Sequence, residues 1–431
     1  MVIALGRTTP KFRKKMIQHA PKEVINCVSE CCYNVLKGNV SLSEAQKRSN
    51  PRGWQEFSRG LRESNVPQEY VGNRQRWLWM QRDGSEDEDD GDEYFETSSY
   101  LPATPPPQNK SNADNYPYRA YIENLLPYNK ECKDTQMQAL ELWSKDSYLH
   151  MQDNTAAGSN ESWKFRKKKP VSLQATHELI GRLHLDLFLR EKYLPNGIEI
   201  PLKLNRSPTA FCLMGTADGK VDIQQVGFNV RTVDLLPVVA NDLNKNIAQH
   251  NMKIPIRRAV VKTFTIPDGL RSKIDDHLFL GQLPKRIIIG MVKNSDMNGD
   301  ERTNPFDFQH FSLSKFEVSI DGKTIHNKPY TPDNGEYLRS YMSLYQATGA
   351  LGANRSIDLS MAEYKKGYTF WGFDLTADQG SEGQLHPIKT GNMRRDIQFG
   401  EALPAIINVI VYAEFDNQIE INELREIITD Y

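Results

Sequence analysis

The sequence predicts a mainly β protein, a jelly-roll β-sandwich preceded by a small helical segment. Two observations predict it. Within residues 402–416, Val409, Val411, Ala413 and Phe415 fall on one face at period two, as a half-buried strand requires. Phe316, Val318 and Ile320 repeat that pattern and close on the turn pair Asp321 and Gly322. The same chain carries long polar connections and few helices, which favours a sandwich over an α/β fold.

The front of the chain is different. Residues 8–82 read as helical and basic: Pro21 suits a first helical turn, and Ile25, Val28, Cys32 and Val35 share a face at steps of three and four. Gly38 is a natural stop, and Ser41 with Glu44 forms a capping box for a second short helix, cut at Pro51 and Gly53. Residues 83–93 hold eight acidic side chains in eleven, and residues 101–107 add four prolines. Such a stretch buries too little apolar surface to offset its ordering entropy, so 83–114 reads as an acidic, proline-rich linker without fixed structure.

From residue 115 the folded body begins. Helices are expected over 119–126, 137–143 and 238–250. Strands are expected where Leu183, Leu185 and Leu187 alternate with His184 and Asp186, and where Ile198, Ile200, Leu202 and Leu204 follow the turn at Asn196 and Gly197. Val226, Phe228 and Val230 make another, residues 259–266 a further one. The continuous apolar run 287–292 reads as a strand buried on both faces. No strand is expected before residue 115.

Bulk properties exclude some classes. With 431 residues, 39% hydrophobic and 10% aromatic, the chain can build more than one core, while a net charge of -1 gives no global pull toward nucleic acid or anionic lipid. The mean hydropathy of -0.61 reflects the polar connections. No run of about 18 apolar residues occurs, so no membrane span or membrane partner is expected. The first 20 residues are basic but lack the apolar run of a signal peptide, so the protein is expected inside the cell, in cytoplasm or nucleus, rather than secreted. The glycosylation triplets at Asn39, Asn160, Asn205 and Asn354 are then chance matches. Cys27, Cys31, Cys32, Cys132 and Cys212 show no paired ligand spacing and read as reduced, buried thiols.

Polar residues that could carry chemistry have plainer readings. His184 and Asp186, two apart on one expected strand face, could begin a metal site, but no third ligand lies near them. His310 reads as a packed histidine, and Asp374 and Asp378 as turn caps. Residues 215–220 lack the spacing of a phosphate loop and read as a hairpin turn. Arg166, Lys167, Lys168 and Lys169 form the one real basic cluster, facing either packaged nucleic acid or solvent. No catalytic, cofactor-binding or metal-binding residues are assigned, no cofactor is expected, and the chain does not read as an enzyme.

At this point the residues become specific. NYPYRAYIE (115–123), GRLHLDLF (181–188) with YLPNG (193–197), FLGQLP (279–284), NPFDFQHF (304–311), YMSLY (341–345) and NVIVYAEF (408–415) occur in order. Together they resemble the double jelly-roll major capsid proteins of Polinton (Maverick) elements and adintovirus-like viruses, over residues 115–431. The resemblance implies two jelly rolls side by side, 115–253 and 254–431, assembling as homotrimeric capsomers that tile an icosahedral shell. It implies as partners further copies of the chain and a minor capsid or penton protein, to which the basic cluster adds weak non-specific contact with nucleic acid. The location implied is a virion or virus-like particle. Loops 294–304 and 331–335 would lie on the shell surface or between capsomers.

The front departs from that family, whose opening strands precede the block at residue 115. In their place stand residues 1–82, where CVSECCYNVLKGNVSLSEAQK (27–47) resembles another short protein of the same elements. A fused or decayed reading frame is expected, which leaves the first jelly roll incomplete. The competing class is a jelly-roll binding module for carbohydrate or protein, which would need a groove of exposed aromatics; Trp143, Trp163 and Trp371 are the tryptophans available in the body.

Overall fold

The structure, a computed structural model, describes residues 2–5, 78–79, 115–168, 177–188, 193–215, 219–376 and 386–429. The expected helices of 8–82 and the acidic linker 83–114 lie outside the described residues, apart from residues 78–79. The chain divides into two compact units. The smaller holds residues 1–86, 169–181 and 222–240, and the larger holds 87–168, 182–221 and 241–431.

In the smaller unit, β1 (Val2–Leu5), β2 (Leu78–Trp79), β3 (His177–Ile180) and β4 (Ile223–Phe228) form an antiparallel sheet in the order β2-β4-β1-β3. Val2 pairs with Ile180 and Ile3 with Val226. Two strands therefore precede residue 115, against expectation. β1 is only four residues long, and its partners lie far along the chain, so no local periodicity marks it.

Among the described residues the larger unit carries nine antiparallel strands, of which eight make the sandwich: β5 (Met252–Ile266), β6 (Ser272–Gln282), β7 (Arg286–Lys293), β8 (Leu313–Ile320), β9 (Lys323–Thr324), β10 (Phe370–Asp374), β11 (Thr390–Phe399) and β12 (Ile407–Ile421). One sheet runs β5-β12-β7-β10, with β13 (Ile427–Thr429) added to the far end of β12. The other runs β6-β11-β8-β9. In chain order these are first-eighth-third-sixth and second-seventh-fourth-fifth, the strand order of a jelly roll.

Each strand sits where its side chains demand. Ile287, Ile289 and Met291 of β7 face the core between the sheets, with Trp371 and Phe373 of β10 and Val409, Val411, Ala413 and Phe415 of β12. Leu278, Phe316, Val318, Met393 and Ile397 meet them from the opposite sheet. The alternate residues Ile288, Val292, Phe370, Ile410 and Tyr412 face a second core roofed by helices. That roof corrects one expectation: β12 is buried on both faces through Phe415, not half-buried. Asp321 and Gly322 both take positive φ (48° and 79°), the mirror-image turn a two-residue hairpin needs between β8 and β9.

The roof helices include α1 (Tyr116–Leu125), which buries Tyr118, Ile122 and Leu125. The expected helix over 137–143 starts earlier. It comprises α2 (Lys130–Cys132), a π turn (Lys133–Met137) and α3 (Gln138–Glu141), and it ends where Leu142 turns left-handed at φ 54°. α4 (Glu161–Lys168) follows, then α5 (Thr209–Cys212) and α6 (Pro237–Gln249), close to the expected 238–250. Later come α7 (Asn294–Asn298), α8 (Leu338–Ala347) and α9 (Met361–Lys365). No helix of the described residues is long and apolar enough to cross a membrane.

Two expected strands do not form. Residues 183–187 form no strand: Leu183 and His184 are both buried, and the chain then turns, with Phe188 N donating to Leu185 O at 3.0 Å. Residues 198–204 hold only an isolated bridge residue, and Ile198 packs on the small cluster of Ile254, Ile256, Ile419 and Ile421. Residues 294–304, expected on the shell surface or between capsomers, open with α7 and bury Asp296 and Asn304, while the rest of the segment is exposed or half-buried. Of the cysteines described, Cys132 is half-buried and Cys212 exposed, both as free thiols rather than buried ones.

Close approach of α8 to β10 depends on Gly372. A Cβ there would meet Ala347 Cβ at 2.8 Å and the Leu344 Cα at 2.9 Å. Gly372→Val is expected to lower stability by about 1–3 kcal/mol through overpacking, read by thermal unfolding against wild type. Unchanged stability would show that α8 does not seat on this strand.

Candidate functional site

Three buried polar clusters tie the helical elements of the larger unit together, and they take in His184, Asp186 and Arg166 of the residues that the sequence singles out. The first centres on Glu123. On α1, Arg119 and Glu123 sit four apart, so one face presents both, with Nε to Oε1 at 3.0 Å. Arg119 Nη2 also pairs with Asp186 Oδ1 at 2.8 Å. His184 Nδ1 lies 2.6 Å from Glu123 Oε2, and Tyr412 OH lies 3.0 Å from Glu123 Oε1 and 2.9 Å from Glu414 Oε1. The His184 backbone N donates to Tyr116 OH at 3.2 Å.

Burial alone would raise the Glu123 carboxyl, but the His184 hydrogen bond and the Arg119 charge together hold it below the usual glutamate range. Burial would likewise lower the Arg119 guanidinium, and the charges of Glu123 and Asp186 outweigh it. Burial drives the Tyr412 phenol well above its ordinary value. Here His184 and Asp186, candidates for a metal site, are brought together with a second acid, Glu123. Arg119 stands within that group, and Glu123 is already engaged by Arg119, His184 and Tyr412. The arrangement is a satisfied ionic clasp whose carboxylates are occupied by protein donors. Among the described residues no group of three or more His, Cys, Asp or Glu is gathered as metal ligands.

The second cluster surrounds Asp146 and Asp307. Asp146 accepts from Asn160 Nδ2 at 2.9 Å, Arg166 Nη2 at 2.5 Å and Asn304 Nδ2 at 3.2 Å. Gln152 Nε2 donates to Asp307 Oδ2 at 2.7 Å, while Gln152 Oε1 accepts from Asn304 N at 2.8 Å. Burial raises both Asp307 and Asp296 above the usual aspartate range despite these donors. A carboxyl raised in the folded state gives stability that is full below the ordinary aspartate value and is lost as pH rises through its folded value. Relative to wild type, Asp307→Asn is therefore expected to fare better at neutral pH than at acid pH. Urea unfolding across that range checks it, and a pH-independent difference would exclude the charge cost.

The third cluster binds Lys133, on the π turn, to the loop before α9. Lys133 Nζ donates to Ile357 O at 2.9 Å and lies 3.7 Å from Asp358 Oδ2. Lys145 Nζ bridges Asp358 Oδ1 at 3.4 Å and Glu363 Oε1 at 2.8 Å. Burial pushes the Lys133 ammonium down to about 8. Sequence reasoning missed this cluster, because its lysines lie more than 200 positions from the acids they meet.

The remaining candidates are structural in place. His310 is half-buried, its Nδ1 lies 3.1 Å from Ser312 N, and burial depresses its imidazole. Asp374 Oδ1 accepts from Thr376 N at 2.9 Å and from its hydroxyl at 2.6 Å, as a turn cap does; Asp378 lies outside the described residues. Of residues 215–220, 216–218 also lie outside them. In the basic cluster, Arg166 is committed to Asp146, Lys164 beside it pairs with Glu161 at 2.8 Å, and Lys167 lies over Trp163. Lys169 is outside the described residues. The three body tryptophans form no exposed platform: Trp371 and Trp163 are buried, and Trp143 is half-buried against the second core.

The strand order alone defines a jelly-roll protein. No family model matches the chain. An uncharacterized protein of Caenorhabditis elegans is 27% identical over 333 residues, covering 74% of this chain and 76% of its own. A chain of the Sputnik virophage cryo-EM structure is 11% identical, covers 72% of this chain and 70% of its own, and has a TM-score of 0.44. The mavirus major capsid protein is 13% identical, covers 50% and 48%, and has a TM-score of 0.28.

Proposed function

We propose that this chain is a structural, non-enzymatic capsid protein that self-associates into trimeric capsomers of an icosahedral shell, and that it is a genome-integrated copy of the Polinton type. One observation carries the reading: a complete jelly-roll strand order lies within the same stretch of chain, 252–421, that holds the later of the ordered blocks resembling this capsid family. FLGQLP spans the end of β6 and the entry to β7, YMSLY lies on α8, and NVIVYAEF lies in β12. The second jelly roll is taken as 254–431 and the first, incomplete, as 115–253. Its place is a virion or virus-like particle within the cell, with a penton-type protein as a further partner.

Contacts of a capsomer should bury well over ~2,000 Å² of surface resembling a core cut in half. Leu338 and Met342, four apart on α8, are exposed by 72% and 47% and offer apolar surface of that kind to a second copy. Negative-stain electron microscopy of the purified full chain tests the proposal. Pseudo-hexagonal capsomers or closed shells are expected, and uniform small globules at every concentration would refute it.

A further inference from the structure

Among the described residues β5 pairs with β12 alone, and side chains take up backbone groups in the middle of its outer edge. It pairs with β12 on one side over its whole length, from Met252–Ile421 to Ile266–Ile407, without a shift of register. In an antiparallel ladder alternate residues aim both backbone groups at the partner and the others aim both away. The direction at Ala259 is fixed by its own bonds. Its N–H donates to Asp186 Oδ1 at 3.0 Å, and its carbonyl accepts from Arg119 Nη1 at 3.3 Å. Across the ladder Glu414 likewise turns away from β5, since its carbonyl accepts from Lys285 N at 2.6 Å.

With an unbroken register, residues 253, 255, 257, 261, 263 and 265 point outward with Ala259. The next outward carbonyl, Val261, accepts from Asn115 Nδ2 at 3.1 Å. Asn115 is held in turn by the Thr263 hydroxyl, which donates to its Oδ1 at 2.9 Å. Toward the other end the outward positions are Lys253, Pro255 and Arg257, all exposed. Proline has no N–H to offer there, and charged side chains on an edge oppose strand addition.

We propose that Asn115, Arg119 and Asp186 form an edge guard, occupying the hydrogen-bonding places along β5 that a strand from a second copy would otherwise fill. This stands apart from the capsomer reading, because it concerns backbone pairing rather than contact through side-chain surfaces. An unpaired edge of 15 residues is a template for open-ended association. The guard leaves closed contacts as the available route. It also gives the Arg119–Asp186 pair a task that a simple helix anchor lacks: a hydrogen-bond acceptor and a donor set at the spacing of a β-ladder.

The test compares Asp186→Ala with Asp186→Asn in the full chain. Asparagine keeps an acceptor for the Ala259 N–H while discarding the charge; alanine discards both. Amide exchange at Ala259 is expected to accelerate about tenfold or more in Asp186→Ala and distinctly less in Asp186→Asn. Asp186→Ala should also form thioflavin-positive assemblies that grow with concentration and follow no fixed stoichiometry. Wild-type exchange and wild-type solution mass in Asp186→Ala would overturn the proposal, as would equal loss of protection in both variants. If Asp186→Ala does not fold, Asn115→Ala decides: growing β-rich assemblies are expected, and wild-type mass overturns the guard.

Discussion

Glu123→Ala is expected to destabilise the larger unit by about 3–5 kcal/mol, the cost of breaking a buried ion pair by removing one partner. The side chain is 8% exposed, and Arg119, His184 and Tyr412 all converge on it. Deleting it leaves a guanidinium that is 4% exposed with only Asp186 as its acid. Tyr412 OH retains Glu414, so the loss falls chiefly on α1 and the 182–188 segment. Urea unfolding followed by circular dichroism measures it, and a change below about 1 kcal/mol would place the clasp among weak surface pairs. The pH dependence has a fixed sign. A carboxyl lowered in the folded state gives stability that is present above the ordinary glutamate value and is lost as pH falls through its folded value. The wild type should therefore converge on Glu123→Ala at strongly acid pH, opposite in direction to the Asp307 effect.

The second large effect is Trp371→Ala, with an expected loss of about 3–5 kcal/mol. Trp371 is 1% exposed, lies opposite Ile289 in the ladder and has its ring 5.0 Å from that of Phe316 across the sandwich. The cavity would open between the two sheets, where neither can close on it without breaking strand pairing. Trp371→Phe should recover much of the loss because it refills most of the volume. A binding-module reading makes the contrary forecast, since a ligand-facing tryptophan can be truncated at little cost to stability.

What was legible in the sequence follows from how local each cause is. β7, β8 and β12 announce themselves, because apolar runs and a turn pair are written within a few residues. β11 does not. Its stretch TGNMRRDIQF is dominated by polar residues, yet Arg395 is fully buried against Asp275 of β6, and only the neighbouring strand explains a charge in that place. β10 is short and contains Gly372, whose need is the backbone of α8, a contact no strand pattern encodes. β1 pairs with strands more than 170 positions away, so its four residues carry no recognisable signal.

The polar clusters divide in the same way. The four-residue step from Arg119 to Glu123 is visible on any helix, whereas His184 reaches Glu123 across 61 positions and Tyr412 across 289. Read alone, His184 and Asp186 resemble an unfinished ligand set. The structure completes the set with an arginine and a tyrosine, which turns a candidate site into an anchor. Alternating apolar residues at 183–187 misled for a related reason: the alternation is real, but Asp186 is drawn toward Arg119 and the β5 edge instead of into a ladder.

The central claim is self-association through a jelly roll, and the solution mass of the purified full chain by size exclusion with multi-angle light scattering tests it most directly. The account predicts three times the 49.4 kDa chain mass, or larger multiples of three. A single species at 49.4 kDa that persists as concentration rises would contradict it.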